Sequence, residues 1–380
     1  MPLPPPDEQE GVLRIPYKVC VYAICKNEAA FVDRFLASAA EADWVCVLDT
    51  GSTDGSAERL RERGAIVARR EIEPWRFDAA RNESLKLIPA EAEICCCVDL
   101  DEQFRPGWRA ALERAWRSDT TRARYRYAWS FLPDGSEGHV FWADKIHRSG
   151  CYRWRGAVHE VLSYTGGGSE RTVDADGVQL DHHPDAAKSR GQYLPLLELA
   201  VAENPDDDRA CHYLGREYMF RGQWEKAIAV LRRHLAMPQA TWADERCASL
   251  RFIARCCRRL GQDGEAERWY LRAAAEAPWL REPFVELAAL LHDRGDWDGA
   301  AFFARRALAI TGRPRTYICE PFAWGALPWD LLAVACWRLG RGGDALAAAR
   351  HAAALAPQDE RLRANLTFFE RAAQTPGGPS

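Results

Sequence analysis

The stretch WVCVLDTGSTDGSAERLRERGAIVARRE, residues 44–71, decides the fold. WVCVLD is a short apolar run that ends in a carboxylate, and TDGSAERLRERG has helical spacing and a stop at Gly64. AIVARRE is apolar again. A strand, a helix and a strand in this little chain predict a right-handed crossover between parallel strands. The same alternation extends in both directions. YKVCVYAIC reads as a strand and EAAFVDRFLASAAEA as a helix upstream, while FDAARNESLKLIP, a helix ended by Pro89, and the strand EICCCVDLD follow downstream. The pattern predicts an α/β, doubly wound, mostly parallel sheet. Asp49 and Asp99 then fall at strand C-termini, where open α/β sheets place their ligands.

Composition bounds what such a sheet can serve. The 380 residues are enough for two or more cores, and 47% hydrophobic content is that of a globular protein. A formal charge of −4 excludes a molecule steered as a whole to nucleic acid or an anionic membrane. The thirteen cysteines fall in apolar runs such as Cys95, Cys96 and Cys97, and Met1 leads into PLPPPDEQEG, which lacks a signal-peptide pattern. A reduced, cytoplasmic protein is expected, and no apolar run approaches the roughly 20 residues of a membrane span.

Near residue 190 the period becomes helical and stays so. CHYLGREYMFRGQWEKAIAVLRRHLAMP, SLRFIARCCRRLGQDGEAERWYLRAAAEAP, PFVELAALLHDRGDWDGAAFFARRALAIT and DLLAVACWRLGRGGDALAAARHAAALAP are variants of one phrase. Gly222, Gly261, Gly295 and Gly340 end the first helix of each pair, and Ala227, Ala266, Ala300 and Ala345 sit early in the second. These units resemble tetratricopeptide repeats, whose pairs stack into an all-α superhelix because none buries its apolar face alone. The insertion GRPRTYICEPFAWGALPW stretches the last interval, and DERLRANLTFFERAA reads as a capping helix. The expected organisation is a Pro-rich tail at 1–16, an α/β domain at 17–190, a repeat domain at 191–372 and a tail at 373–380.

Two turns carry the chemistry. In DTGSTDGS, residues 49–56, Asp49 and Asp54 are placed to accept from a base N–H or a ribose hydroxyl; alternatively, Asp54 or Thr53 caps the next helix. In CCCVDLDEQF, residues 95–104, Asp99, Asp101 and Glu102 crowd together, a repulsion relieved by solvent, a proton or a cation. Strand alternation would put Asp99 and Asp101 on one side. Oxygen ligands at low count suit Mg2+ or Mn2+ shared with a diphosphate. The turn after strand one, CKNEAAF, contains neither a P-loop nor a G-x-G-x-x-G, so phosphates lack a glycine-rich cradle.

ICKNEAAFVDRFL, LDTGSTDGS, FDAARNESL and VDLDE together resemble the family 2 glycosyltransferases of GT-A fold, closest to the subgroup with a tetratricopeptide tail that includes peptide S-glycosyltransferases. RWRGAVHEVL (153–162) and LDHHPDAAKSRGQYLPLLELAVAENPDD (180–207) support it. The resemblance implies an inverting, metal-dependent transferase using a nucleotide sugar, a UDP-sugar foremost. Carried over, Asp49 and Asp54 contact base and ribose, Glu28, Arg81 and Asn82 lie beside the nucleotide, Asp99 is near the ribose and the metal, and Asp101 and His182 ligate the metal. Glu160, with His159 as its rival, is the expected general base; the usual E-D or D-E-D base motif is absent.

Trp154, more than Trp75 or Tyr152, is an expected stacking platform for the donor sugar. TRARYRYAW, residues 121–129, reads as an edge strand blunted by charge, or, with Lys145, His147, Arg148, Arg153 and Arg155, as a basic patch for a nucleic-acid acceptor. The acceptor stays open among peptide, glycan and modified DNA base, and the repeats would recruit it or make a homodimer. The rivals are a nucleotidyltransferase, against which the absent glycine-rich loop counts, and a non-catalytic adaptor.

Overall fold

In the computed structural model, residues 17–185 and 191–374 are described. The N-terminal tail at 1–16, the domain boundary near residue 190 and positions 375–380 of the tail expected at 373–380 lie outside the described residues, while positions 373 and 374 belong to the last helix. The first half is one eight-stranded sheet. Strands β1 (Val19–Cys25), β2 (Trp44–Asp49), β3 (Ile66–Arg69) and β4 (Ile94–Cys97) alternate with helices α1 (Val32–Ser38), α2 (Ser56–Glu62) and α3 (Phe77–Leu85). There follow β5 (Glu102–Phe104), α4 (Trp108–Ala115), β6 (Arg122–Ala128), β7 (Val140–Arg148), β8 (Tyr152–Arg155), β9 (Val161–Tyr164) and β10 (Thr172–His182). The order is β3-β2-β1-β4-β7-β6-β10-β5, and β8 and β9 form a separate hairpin. β3, β2, β1 and β4 are mutually parallel, β7 runs antiparallel to β4 and β6, and β10 is parallel to β6.

The apolar run of β1 is continuous because both of its faces are covered. Val19, Val21 and Ala23 pack with Val32, Phe35, Leu60, Trp108 and Leu112 from α1, α2 and α4. Cys20 and Tyr22 point the other way, into Cys95, Cys97, Trp154 and Leu162 under the β8–β9 hairpin. The cysteine triplet alternates likewise, Cys96 to the first face and Cys95 and Cys97 to the second. All thirteen cysteines are free thiols, twelve of them buried.

The sequence reading fails at two places in this half. β4 ends at Cys97, so Asp99 to Asp101 form a turn rather than a strand end, and alternation does not govern them. β6 lies between β7 and β10 and is not an edge. Its arginines are ion-paired in place, Arg122 with Asp144, Arg124 with Asp174 and Arg126 with Glu137, so they add no unpaired charge to the expected basic patch.

The second half is helical: α5 (Tyr193–Glu203), then the pairs α6 (Asp208–Phe220) with α7 (Trp224–Ala236), α8 (Ala243–Arg259) with α9 (Asp263–Glu276), α10 (Glu282–Asp293) with α11 (Trp297–Leu308) and α12 (Leu327–Arg338) with α13 (Gly342–Leu355), closed by α14 (Glu360–Gln374). Gly222, Gly261, Gly295 and Gly340 all have φ between 71° and 75°, the left-handed turn that ends each first helix. Ala227, Ala266, Ala300 and Ala345 are fully buried where paired helices touch. Among the described residues, no helix is long and apolar enough to cross a membrane.

Close helix approach gives a stability test. A Cβ at Gly215 in α6 would stand 2.5 Å from Leu231 Cγ in α7, whereas one at Gly264 in α9 would meet nothing within 4 Å. In thermal melts, Gly215→Ala is expected to cost roughly 1–3 kcal/mol by overpacking. Gly264→Ala is expected to be neutral or to stabilise by up to about 1 kcal/mol through helix propensity.

Candidate functional site

The loops after β1 and β2 are tied side chain to backbone. Asn27 N donates to Ser52 Oγ at 2.9 Å, Thr53 N to Asn27 Oδ1 at 2.8 Å, Glu28 N to Ser56 Oγ at 2.8 Å and Ala29 N to Asp54 Oδ2 at 3.0 Å. Asp54 Oδ1 also accepts from Ser56 N at 3.0 Å. Partial burial works against the Asp54 carboxylate, yet the bonds from Ser56 and Ala29 hold it below its usual range. Asp54 therefore braces two loops, and it does not line the cleft described below. Asp49 is fully buried; Oδ1 accepts from Ser52 N at 3.0 Å, while Oδ2 has no hydrogen bond and Arg69 Nε stands 3.6 Å away. Asp49 lies behind Thr50 and Gly51, which do line the cleft, as does buried Glu28.

At the β4–β5 turn the three carboxyl groups find three different partners. Asp99 takes Arg81 Nη2 on both oxygens, at 2.9 and 3.2 Å. Asp101 Oδ2 stands 3.5 Å from His182 Nε2. Glu102, 1% exposed, accepts from Asp99 N at 2.8 Å and from Tyr127 OH at 2.6 Å, with Lys145 Nζ at 3.4 Å. Burial pushes the Glu102 carboxyl up despite Lys145. Asp99 is also 3.5 Å from Lys145, so it is neutralised by protein cations. Among the described residues, Asp99, Asp101 and His182 do not already bring three ligand atoms within 4.8 Å of one another.

His182 closes β10 and stacks on Trp129 at 4.5 Å. Its Nδ1 is 3.0 Å from the Trp129 carbonyl, which only accepts, so Nδ1 carries the proton and Nε2 faces Asp101. Burial disfavours the charged ring, but Asp101 raises its pKa on balance. An imidazole oriented by a carbonyl, opposite a partly exposed carboxylate, is a donor pair that suits Mg2+ or Mn2+ in exchange for that proton.

Arg81, 3% exposed on α3, joins the acidic turn to the β8–β9 hairpin. Beyond Asp99 it donates from Nε to Glu160 Oε1 and from Nη1 to Cys97 Sγ at 3.1 Å, and its guanidinium lies 5.1 Å from the Trp154 ring centre. Glu160 precedes β9 in an irregular turn, so no helix dipole acts on it. His159, in a left-handed conformation with φ 52°, stacks on Tyr213 of α6 at 4.0 Å. Two residues expected beside the donor have their polar groups engaged within the protein. Asn82 spends both ends of its amide on the Trp154 backbone, Nδ2 to O and Oδ1 from N, each at 2.9 Å, and lies outside the main cleft. Trp154 borders the cleft but is only 2% exposed; its Nε1 donates to Tyr22 OH at 3.0 Å and its ring lies against Arg81, so little of its face is open.

That bond continues inward. Tyr22 OH lies 2.9 Å from His147 Nε2, and His147 Nδ1 lies 3.0 Å from the Arg148 carbonyl. Because the carbonyl only accepts, Nδ1 is protonated and Nε2 accepts from Tyr22. Burial pushes His147 down to about 4.

These elements open on a cleft of about 2380 Å3 whose walls come from both halves of the chain. Asp99, Asp101, Glu102, Lys145, Glu160 and His182 line one side. Tyr213, Arg216 and Phe252 of the repeats line the other, with Arg315, Tyr317 and Glu320 from the insertion between α11 and α12. Sequence reasoning passed over these repeat residues and the role of Lys145 opposite the acids. The only signal was the insertion itself, which breaks an otherwise regular period.

With this geometry in place, the class of the chain follows. Residues 20–152 match the family model Glycosyl transferase family 2, and residues 210–241 and 249–283 match Tetratricopeptide repeat. The chain carries a glycosyl transferase family 2 domain followed by tetratricopeptide repeats. Solved structures similar to it include TTC0263, a thermophilic tetratricopeptide protein of Thermus thermophilus (21% identity, 47% of this chain and 89% of that one, TM-score 0.34). PilW, a type IV pilus biogenesis factor, is 20% identical over 46% of this chain and 77% of its own, TM-score 0.37. The anaphase-promoting-complex assembly Cut9–Hcn1 is 15% identical over 49% of this chain, with TM-score 0.39; only 34% of that chain is spanned. A family 2 domain supports a glycosyltransferase activity and implies a nucleotide-sugar donor and an acceptor.

Two measurements test the buried network. Arg81→Ala strands Asp99 and Glu160 without their common cation and is expected to cost on the order of 3–5 kcal/mol in chemical denaturation. Adding Asp99→Asn and Glu160→Gln to that variant should recover part of the loss; no recovery would contradict the pairing. For His147, the folded pKa lies below the unfolded 6.5, so the unfolded chain binds the extra proton. Its contribution is therefore constant above about pH 6.5 and is lost as pH falls toward about 4. His147→Gln is expected to flatten stability against pH across that window.

Proposed function

We propose that the chain is a metal-dependent inverting glycosyltransferase that takes a sugar from a nucleotide donor, a UDP-sugar foremost, and delivers it to a peptide or glycan held by the repeats. The observation that carries this reading is the shared cleft: one opening is lined both by the acidic turn of the family 2 domain and by aromatic and cationic residues of the repeats. A group bound on Tyr213, Arg216 and Tyr317 is thereby presented to the acidic turn. A purely dimerising role for the repeats has no such support.

In this account the donor nucleotide lies over the loops after β1 and β2, close to Glu28, Thr50 and Gly51, with buried Asp49 in the layer beneath. Asp101 and His182 hold a divalent cation, which when bound neutralises the donor diphosphate that no glycine-rich loop cradles. Asp99 acts differently, by fixing Arg81 at the floor. Glu160 is the proposed base, its carboxylate oriented by Arg81, as a base must be aimed before its pKa matters. It takes the acceptor proton while the acceptor atom bonds to the anomeric carbon and the nucleoside diphosphate leaves from the opposite face. His159 remains the rival, although stacking on Tyr213 gives it a role in joining the domains. The ion pairs along β6 take its arginines out of the basic surface that argued for a DNA base as acceptor.

Glu160→Gln should lower transfer by about 10²–10⁴-fold and leave donor binding intact, the span expected for loss of a general base. Unchanged turnover with a donor and acceptor in hand would pass the role to His159. Replacing Arg216 with Ala is expected to raise the acceptor KM with little change in donor hydrolysis; equal loss of both would remove the repeats from acceptor binding.

A further inference from the structure

The first repeats carry a second cluster of ligand-type side chains that transfer does not use. His212 of α6, His234 in the last turn of α7 and Glu245 in the first turn of α8 each bring a ligand atom within 4.8 Å of the others. His212 and His234 are fully buried and Glu245 is 4% exposed. Helix pairs of this kind pack on small and apolar side chains, so two imidazoles and a carboxylate meeting inside them require a reason.

Hydrogen-bond accounting supplies one. His212 Nδ1 and His234 Nδ1 lie 2.8 and 2.9 Å from the same Ser249 hydroxyl, one helical turn beyond Glu245. Both Nε2 atoms are buried with no hydrogen-bond partner. A hydroxyl oxygen has two lone pairs, so it can accept from both Nδ1–H groups, and both Nε2 lone pairs then point out of the rings toward Glu245. Glu245 is itself aimed: Tyr317 OH donates to Oε2 at 2.6 Å, and Oε1 stands 3.5 Å from His234 Nε2. A carboxylate and two imidazoles whose far sides are hydrogen-bonded have the outer contacts that metal ligands need.

We propose that His212 Nε2, His234 Nε2 and a Glu245 carboxylate oxygen bind one divalent transition metal, Zn2+, which pins α6, α7 and α8 together. Two nitrogens and one oxygen favour zinc over the hard cations suited to the acidic turn, with solvent as a fourth ligand. Ser249 and Tyr317 are positioning residues. Through Tyr317 the site also holds the insertion that walls the cleft.

The test uses the full chain with Asp101→Ala, which removes the cation site proposed at the acidic turn. After chelator treatment and dialysis against Zn2+, plasma mass spectrometry should find about one zinc per chain. Dipicolinate should lower Tm by roughly 5 °C or more, with recovery on adding Zn2+ but not Mg2+. Adding His212→Gln and His234→Gln should cut bound zinc by roughly tenfold. No zinc above background would overturn the proposal, and zinc retained by the histidine variant would do so by placing the metal on the thiols. Should that variant fail to fold, Co2+ loading of the Asp101→Ala chain decides. Visible bands abolished by added Zn2+ and unaltered by Mg2+ are expected, and their absence overturns the site.

Discussion

Three carboxyl groups within four positions cannot all be charged and close without partners, and the way this turn resolves that repulsion organises the first domain. Each acid is handed to a different element: Asp99 to Arg81 of α3, Asp101 to His182 at the end of β10, and Glu102 to Tyr127 of β6 and Lys145 of β7. Arg81 in turn is tolerable at 3% exposure only because Asp99, Glu160 and Cys97 take its donors. Removing one partner of such a set costs far more than the set contributes relative to an apolar core. The arrangement therefore fixes geometry: it sets where the hairpin carrying Glu160 sits relative to Asp101 and His182.

The same hairpin, the start of α3 and strand β7 hold the repeats in place. His159 stacks on Tyr213, Phe77 on Tyr193 at 6.2 Å, and Arg76 pairs with Glu203 at 2.5 Å. On the opposite side the insertion joins β7, with Trp142 N donating to the Arg315 carbonyl at 2.9 Å and the Arg315 guanidinium 4.4 Å from the Trp142 ring centre. Two anchors on either side of the cleft make the repeats part of its wall, which is why the same opening presents both a donor-type acidic turn and an aromatic surface.

The sheet and the repeats were legible because each follows a period. Crossovers between apolar runs gave β1 to β4, and recurrent glycines marked helix ends where φ must be positive. The nearness of Asp101 and His182 was legible in part, since both were placed beyond strand ends, and the structure sets them 3.5 Å apart. What failed were inferences that carried periodicity past an element's end or ignored cross-strand partners. Asp99 left the alternation when β4 stopped at Cys97, and Arg122, Arg124 and Arg126 looked free because Asp144, Asp174 and Glu137 are distant in sequence. Trp154 and Asn82 were assigned to a ligand although their polar groups are used by Tyr22 and by each other. His212, His234 and Glu245 have no shared motif; only the stacking of three helices brings them together.

The central claim is that the turn at Asp101 and His182 is a cation-dependent nucleotide site. Titrating UDP into the wild-type chain and into Asp101→Ala, with Mn2+ and with chelator, tests it directly by calorimetry. Binding that needs Mn2+ and weakens at least roughly tenfold in the variant is the expected result, the change equivalent to about 1.4 kcal/mol. UDP binding of equal strength in all four conditions would contradict it and leave the acids as structural partners of Arg81, His182 and Lys145.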